Sequence, residues 1–291
     1  MPRSARTGDK PLSAAVRAAA CGEIADALQV LWAQSRPGDE AVHQVRKDLK
    51  KARAALRLLR DAVGEAAYSR ENIELRDAAR PLSALRDAVV GLELARELIA
   101  KEKSPARRAM LQELRRKLHA DRLQSREKLL RGATLAAIEQ ALEHAGQRVE
   151  YWRVPLEDRA VLRAGFERVY RKGRKALSKA RADASTKWLH ESRKQVKYLR
   201  EALAVVADDG SGRAAKFAKR AQAVADRLGD DHDLAMLEAR LAALPADSSK
   251  PEQKLRARIE ARRVKLQKSA LKKARRLYRR KPAAFLDRVL S

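Results

Sequence analysis

With 291 residues, the chain can bury a sizeable core in one large or two modest domains. Its composition is 45% hydrophobic and 36% charged with 12 Gly and 9 Pro; it is rich in the helix formers Ala, Leu, Arg, Lys and Glu and predicts an all-α fold. A formal net charge of +28 lies far above the magnitude of roughly 2–8 that suits a small-domain surface, so a multivalent anion is the expected partner.

The single cysteine, Cys21, excludes an intramolecular disulfide, fits a reducing cytosol and is expected as a small core filler on an Ala-rich helix. The opening MPRSARTGDKPL has no apolar run of the signal-peptide kind, and no apolar stretch reaches about 18 residues. A soluble, intracellular protein with no membrane span is therefore expected.

Residues 1–11 read as a disordered lead-in. Helical pattern begins near Leu12 and runs through Val16, Ile24, Leu28 and Leu31 to Trp32, ended by Arg36, Pro37 and Gly38. The next helix runs from about Asp39, expected as its N-cap, to Gly64. Its Val42, Val45, Leu49, Ala52, Leu56, Leu59 and Val63 recur at steps of three and four, the spacing of one buried face. At roughly 100° per residue, His43, Arg46, Lys47, Lys50, Arg53, Arg57 and Arg60 fall on a second stripe beside it, a ladder of positive charge about 25 Å long. A helical pattern over 65–100 is expected to break or kink at Pro81. Ser104 and Pro105 open a long basic helix to about 130, with proline in the first helical position. A short helix over 134–145 then leads through Tyr151, Trp152 and Pro155 into the second half.

There, a helix from about 157 carries GFERVYRKGRKAL, in which Tyr170, Arg171, Arg174 and Lys175 form another local stripe. A helix over 185–207 repeats the ladder position for position, 147 residues on: Leu189 for Val42, His190 for His43, Arg193 for Arg46, Lys194 for Lys47, Lys197 for Lys50 and Arg200 for Arg53. After a turn at 208–212, a helix to Leu228 is followed by LGDDHDLAMLEARLAAL, and aligning Asp87 with Asp233 gives an offset of 146. Two matches at nearly one spacing predict an internal duplication, with halves 12–146 and 155–290. Beyond Pro245 and Pro251 a very basic helix is expected over 254–281, and no segment alternates with the period of a strand.

A solvated helix face normally mixes signs, which limits self-repulsion and adds small i, i+4 pairs. Two helices with the same one-signed stripe, each including a histidine, point instead to a ligand. Arginine offers a fixed fork to two oxygens and lysine a movable point charge, so a helix that alternates them suits a flexible polyanion. His119 and His144 lack such ladders, and no histidine pair has metal-ligand spacing with carboxylates, so neither metal nor cofactor is expected. The acids are scattered among Arg and Lys as ion-pair partners, with no nucleophile and base or carboxylate cluster for Mg²⁺, so binding rather than catalysis is expected. Asp87 and Asp233 either cap a helix start or hold a ladder cation when no ligand is bound. Nucleic acid is the rival partner, disfavoured because aromatics are only 4% and no helix-turn-helix, RRM or zinc pattern occurs.

VHQVRKDLKKARAALRLLR at 42–60, LHESRKQVKYLREAL at 189–203, YRKGRKAL at 170–177 and LGDDHDLAML at 228–237 resemble the CHAD domain, the conserved histidine α-helical domain, and the likeness extends over about 12–286. The resemblance implies two four-helix-type bundles related by a pseudo-twofold axis. Between them it implies a basic groove or pore, lined by the histidines and the Arg/Lys ladders, that binds inorganic polyphosphate; Arg171, Arg174 and Lys175 are candidates to join it. CHAD domains often sit beside a triphosphate-hydrolysing tunnel domain with an ExExK signature, which is not found here, so the resemblance is to a stand-alone CHAD protein, cytoplasmic and associated with polyphosphate granules. His232 stands where the family more often has Asn, and Lys51 occupies the place of Tyr198 in the second ladder.

Overall fold

The computed structural model describes residues 12–154, 159–208, 212–244 and 249–290. The expected lead-in, Pro155, the helix start at 157, the middle of the turn at 208–212 and Pro245 lie outside the described residues. The described residues form eleven helices and no strand: α1 (Leu12–Trp32), α2 (Asp39–Val63), α3 (Glu65–Ala78), α4 (Pro81–Lys101), α5 (Pro105–Leu130), α6 (Thr134–Glu150), α7 (Arg159–Ala182), α8 (Thr186–Asp208), α9 (Gly212–Ala242), α10 (Lys250–Leu277) and α11 (Pro282–Val289).

The three-and-four spacing of α2 is realised as a fully buried row of Val42, Val45, Leu49, Ala52, Leu56 and Leu59. Each such Val or Leu contributes on the order of 1.5–3 kcal/mol by leaving water. Gly38 is the N-cap of α2, and Asp39 is its first helical residue. The Asp39 carboxylate accepts from Arg122 of α5 at 2.7 Å, so it ties α2 to α5 while favouring the positive end of the helix dipole. Gly64, at φ 82°, takes the left-handed turn that lets α3 start one residue after α2 ends.

Pro81 separates α3 from α4, as expected. The corresponding place in the second half is not a break: α9 runs unbroken for 31 residues through Leu228 and Gly229, because Val224, Leu228, Asp231 and Leu234 keep one buried row across it. Proline forbids continuation of a helix, whereas a single glycine only weakens it.

α1 packs along α2, α7 along α8, α8 along α9 and α9 along α10, while α2 also meets α7, α8 and α4. At the α2–α7 crossing, a Cβ on Gly165 would lie 2.4 Å from the Leu58 carbonyl oxygen, so only glycine permits that approach. The larger core gathers α1, α2, α3, α6, α7, α8, α11, the first parts of α4 and α9 and the last parts of α5 and α10, with Cys21 packed against it as expected. A smaller one joins Leu92, Leu111, Leu114 and Leu118 of α4 and α5 to Leu234, Leu237, Leu255 and Ile259 of α9 and α10. The two half-chains share both cores.

Candidate functional site

α2, α4, α8 and α9 meet around a cleft of about 220 Å³. His43, Arg46 and Lys50 reach it from α2, Arg193 and Lys197 from α8, Arg86 and Asp87 from α4, and His232, Asp233 and Arg240 from α9. Arg46 donates through Nη1 to the Ala79 carbonyl at 3.2 Å and to Ser83 Oγ, which anchors the fork against α4. Its Nε–H, and that of Arg193, are buried without an acceptor. A buried donor left unmade costs about 1–3 kcal/mol, so these groups favour any oxygen that enters. Among the described residues, no carboxylate lies within ion-pair distance of Arg46, Lys50, Arg193 or Lys197, although acids neutralise arginines elsewhere.

The electrostatics follow from this crowding. The Lys197 ammonium is pushed down to about 7, first by lost hydration and then by Arg193, Lys50 and Arg200. Lys50 is pushed down to about 8 by the same cause and then by Arg46 and Arg193. Lys50 counts as an exposed residue, open through the cleft mouth, yet the walls around its stem displace enough water for dehydration to lead. Arg46 and Arg193 are also held below their ordinary value, by burial first, with Asp87 pulling the other way on both. His43 and His190 are lowered by burial and then by neighbouring Arg and Lys, and His232 is pushed down to about 4. The protein thus concentrates cations where their charged forms are disfavoured, and a polyanion would relieve the strain.

A CHAD domain family model matches residues 19–242, a span that contains all four helices of the cleft. The chain belongs to the CHAD domain family. Its structure is similar to the crystal structure of the CHAD domain from the plant Ricinus communis, with TM-score 0.67, 19% identity and 94% of each chain covered. It is also similar to PptA from Streptomyces chartreusis, with TM-score 0.66, 14% identity, and 93% of this chain and 100% of that one covered. At these identities the likeness is one of fold. No curated protein matches the chain.

In this CHAD fold the rest of the first ladder leads away from the cleft. Arg53 Nε and Arg57 Nη2 both donate to Asn72 Oδ1, at 3.1 and 3.2 Å, and Arg57 Nη1 donates to the Arg53 carbonyl at 2.6 Å. The Arg57 guanidinium also lies 3.7 Å from the centre of the Tyr198 ring, and Arg60 is paired with Glu65. Arg57, Arg60, Arg168 and Lys172 surround a smaller pocket with Tyr68 and Tyr198. Arg200 donates to Gln222 Oε1 at 2.6 Å and pairs with Glu201.

Other expected residues stand outside the cleft. Lys47 and Lys194 are exposed, the latter paired with Glu191 at 2.5 Å. His190 does not line the cleft; its ring packs at 5.0 Å on His232, which does. Arg171 is exposed and paired with Glu167, and neither Arg174 nor Lys175 reaches the cleft. Tyr170 is a core residue stacked 4.0 Å from Phe285, with its hydroxyl donating to the Leu277 and Arg280 carbonyls. α7 instead presents Arg168 and Lys172, about one helix step round from the expected stripe. Asp87 and Asp233 sit inside α4 and α9, so neither caps a helix start, and neither holds a ladder cation within 4 Å among the described residues. They act at longer range, and burial raises Asp233 against the pull of Arg193 and Lys197. Arg86 and Arg240 were not expected. The signal for Arg86 was its alignment with His232 beside the Asp87–Asp233 match; Arg240, paired with Asp121 of α5, had none. Lys51 pairs with Glu23 of α1 at 2.8 Å while Tyr198 receives Arg57, so the two aligned positions serve different contacts.

Among the described residues no group of three His, Cys, Asp or Glu side chains could hold a metal ion, and no helix is long and apolar enough to cross a membrane.

Proposed function

We propose that this protein binds inorganic polyphosphate in the cleft between α2 and α8, without turning it over, and works in the cytoplasm at polyphosphate granules. The observation that carries this reading is the meeting of Arg46 and Lys50 with Arg193 and Lys197, four basic side chains on two helices with no ion-pair partner among the described residues. A chain with a negative charge on every phosphate supplies acceptors along the whole strip, and each new bond is charge-assisted. Arginine fixes individual phosphates and lysine follows a mobile chain. Aligned residues of the two half-chains line the same cleft, Arg46 with Arg193 and Lys50 with Lys197, which supports a duplicated origin with an internal twofold relation. Membership of the CHAD family agrees with this reading.

Nucleic acid remains the competing ligand on charge alone. The cleft side chains offer cations and imidazoles but no exposed aromatic platform on which bases could stack, which favours a ligand that is phosphate throughout. The deciding experiment is a competition titration at fixed salt between long-chain polyphosphate and double-stranded DNA. Polyphosphate should win per phosphate by a clear margin, and equal affinity would transfer the assignment to nucleic acid.

A further inference from the structure

Lys197 is the most crowded amine of the cleft and makes no hydrogen bond or ion pair among the described residues. Arg193 stands one turn before it on α8, and Arg46 and Lys50 line the same cleft from α2. The two arginines each hold a buried Nε–H with no acceptor. A site that only gathered phosphate would be served as well by a third guanidinium, which keeps its charge in any surroundings. An amine in that place is also a nucleophile, set beside a clamp for phosphate.

We propose that Lys197 is an acylation site for small acyl phosphates, the arginines holding the phosphate end while the amine attacks the acyl carbon. Acylation there presupposes the reading above, that the cleft takes phosphate groups. The Nζ lone pair forms a bond to the carbonyl carbon, the bond from that carbon to the bridging oxygen breaks, and inorganic phosphate leaves with the electron pair. The proton released from nitrogen passes to the departing phosphate or to water. The product is a neutral amide that can no longer take up a proton when a polyanion enters, so capture of a polyanion is weakened. Acyl phosphates would thereby set how much of the protein can bind.

The field around the amine supports this. With its proton affinity brought down to about 7, Lys197 is largely uncharged just above neutral pH. Burial of the amine does most of this, followed by Arg193 on α8, Lys50 on α2 and Arg200 on α8, with His43 and Arg46 of α2, Arg86 of α4, and His232 and Arg240 of α9 lining the same space. Asp233 opposes them and Asp87 lines the same space, and neither is close enough to Lys197 to form an ion pair.

The test exposes the full chain to acetyl phosphate at about pH 7.5 and follows each lysine by peptide mass spectrometry. Lys194, exposed on the same helix and paired with Glu191, is the internal reference. Lys197 should acetylate at least about tenfold faster than Lys194, since only the uncharged amine attacks. Long-chain polyphosphate should suppress the reaction at Lys197 and leave Lys194 alone. Arg193→Gln should slow acetyl phosphate relative to an N-hydroxysuccinimide acetate, which has no phosphate for the clamp to hold. Equal rates at Lys197 and Lys194 in the native protein, with polyphosphate still bound tightly, would overturn the acylation and leave the polyphosphate reading standing. Fast acetylation that polyphosphate does not suppress would support the modification and remove polyphosphate from this cleft.

Discussion

The two ends of the α2 ladder carry the same kind of residue and meet different fates. At the far end Arg53 and Arg57 share Asn72 Oδ1, Arg57 lies on the Tyr198 ring and Arg60 pairs with Glu65. At the cleft end Arg46 keeps a buried donor unpaired and Lys50 has no partner within the described residues. One cationic stripe thus divides into arginines committed to holding helices together and cations with no acid within ion-pair distance among the described residues. The lesson is that charge along a helix says where a polyanion could lie, and acceptors on neighbouring helices decide where it does.

The strongest way to break the comparison is to remove cations at each end in turn. Arg46→Ala with Arg193→Ala should lower polyphosphate affinity by on the order of a hundredfold or more, since charge-assisted bonds contribute about 1.5–3 kcal/mol each. Arg53→Ala with Arg57→Ala should change affinity by less than about fivefold and cost stability instead, about 1–3 kcal/mol, because Asn72 and Tyr198 lose their partners. Titration calorimetry beside denaturant unfolding separates the two, and comparable affinity losses in both double variants would erase the distinction.

Next in size is the α2–α7 contact that builds the far end. Gly165→Ala forces a methyl against the Leu58 carbonyl, and overpacking of this kind costs about 1–3 kcal/mol, or several degrees of Tm. Affinity at the cleft should fall much less. An unchanged Tm would show that α7 can shift freely away from α2.

pH sharpens the comparison because the cleft lysines titrate near neutrality. Lys197 and Lys50, at about 7 and about 8 in the free protein, must be protonated to pair with phosphate, so binding takes up protons. Affinity should therefore rise as pH is lowered from about 9 to about 7, and the slope should flatten in Lys197→Ala. His43 and His190 are also lowered, by burial first, and extend the rise below about pH 7 if phosphate restores their protons. Replacing both with Gln should remove only that lower segment. Stability of the free protein moves in the opposite sense. A lysine whose folded value lies below its unfolded value of about 10.5 binds fewer protons when folded, so its penalty is greatest below about pH 7 and fades as pH rises towards 10. Thermal unfolding at a series of pH values tests this; a Tm contribution that falls with pH and is lost in Lys197→Met would contradict it.

The smallest expected effect is at the exposed cations. Lys47→Ala or Lys194→Ala should change affinity by less than about threefold and leave most of the salt dependence in place, since solvated charges are screened. A large loss at either would mean that the polyanion runs over the outer surface of the ladder.

The helices, the apolar row of α2, the repeated ladder and the break at Pro81 were all legible as pattern, because each depends on residues a few positions apart whose period the helix imposes. Resemblance to the CHAD family followed from those same local segments. The continuity of α9 through Gly229 was not legible, since a buried row shared with other helices outweighs one weak residue. Nor was the separation of Lys50 from Arg57, or of Arg168 and Lys172 from Arg171 and Lys175, which depends on the rotation of each helix against its neighbours. Tertiary packing alone decided that Asn72, Tyr198, Glu65 and Glu167 would take some cations while Arg46, Lys50, Arg193 and Lys197 were left without an ion-pair partner among the described residues. The physical reason is that periodicity is a property of one helix, whereas burial, acceptors and proton affinity belong to the space between several.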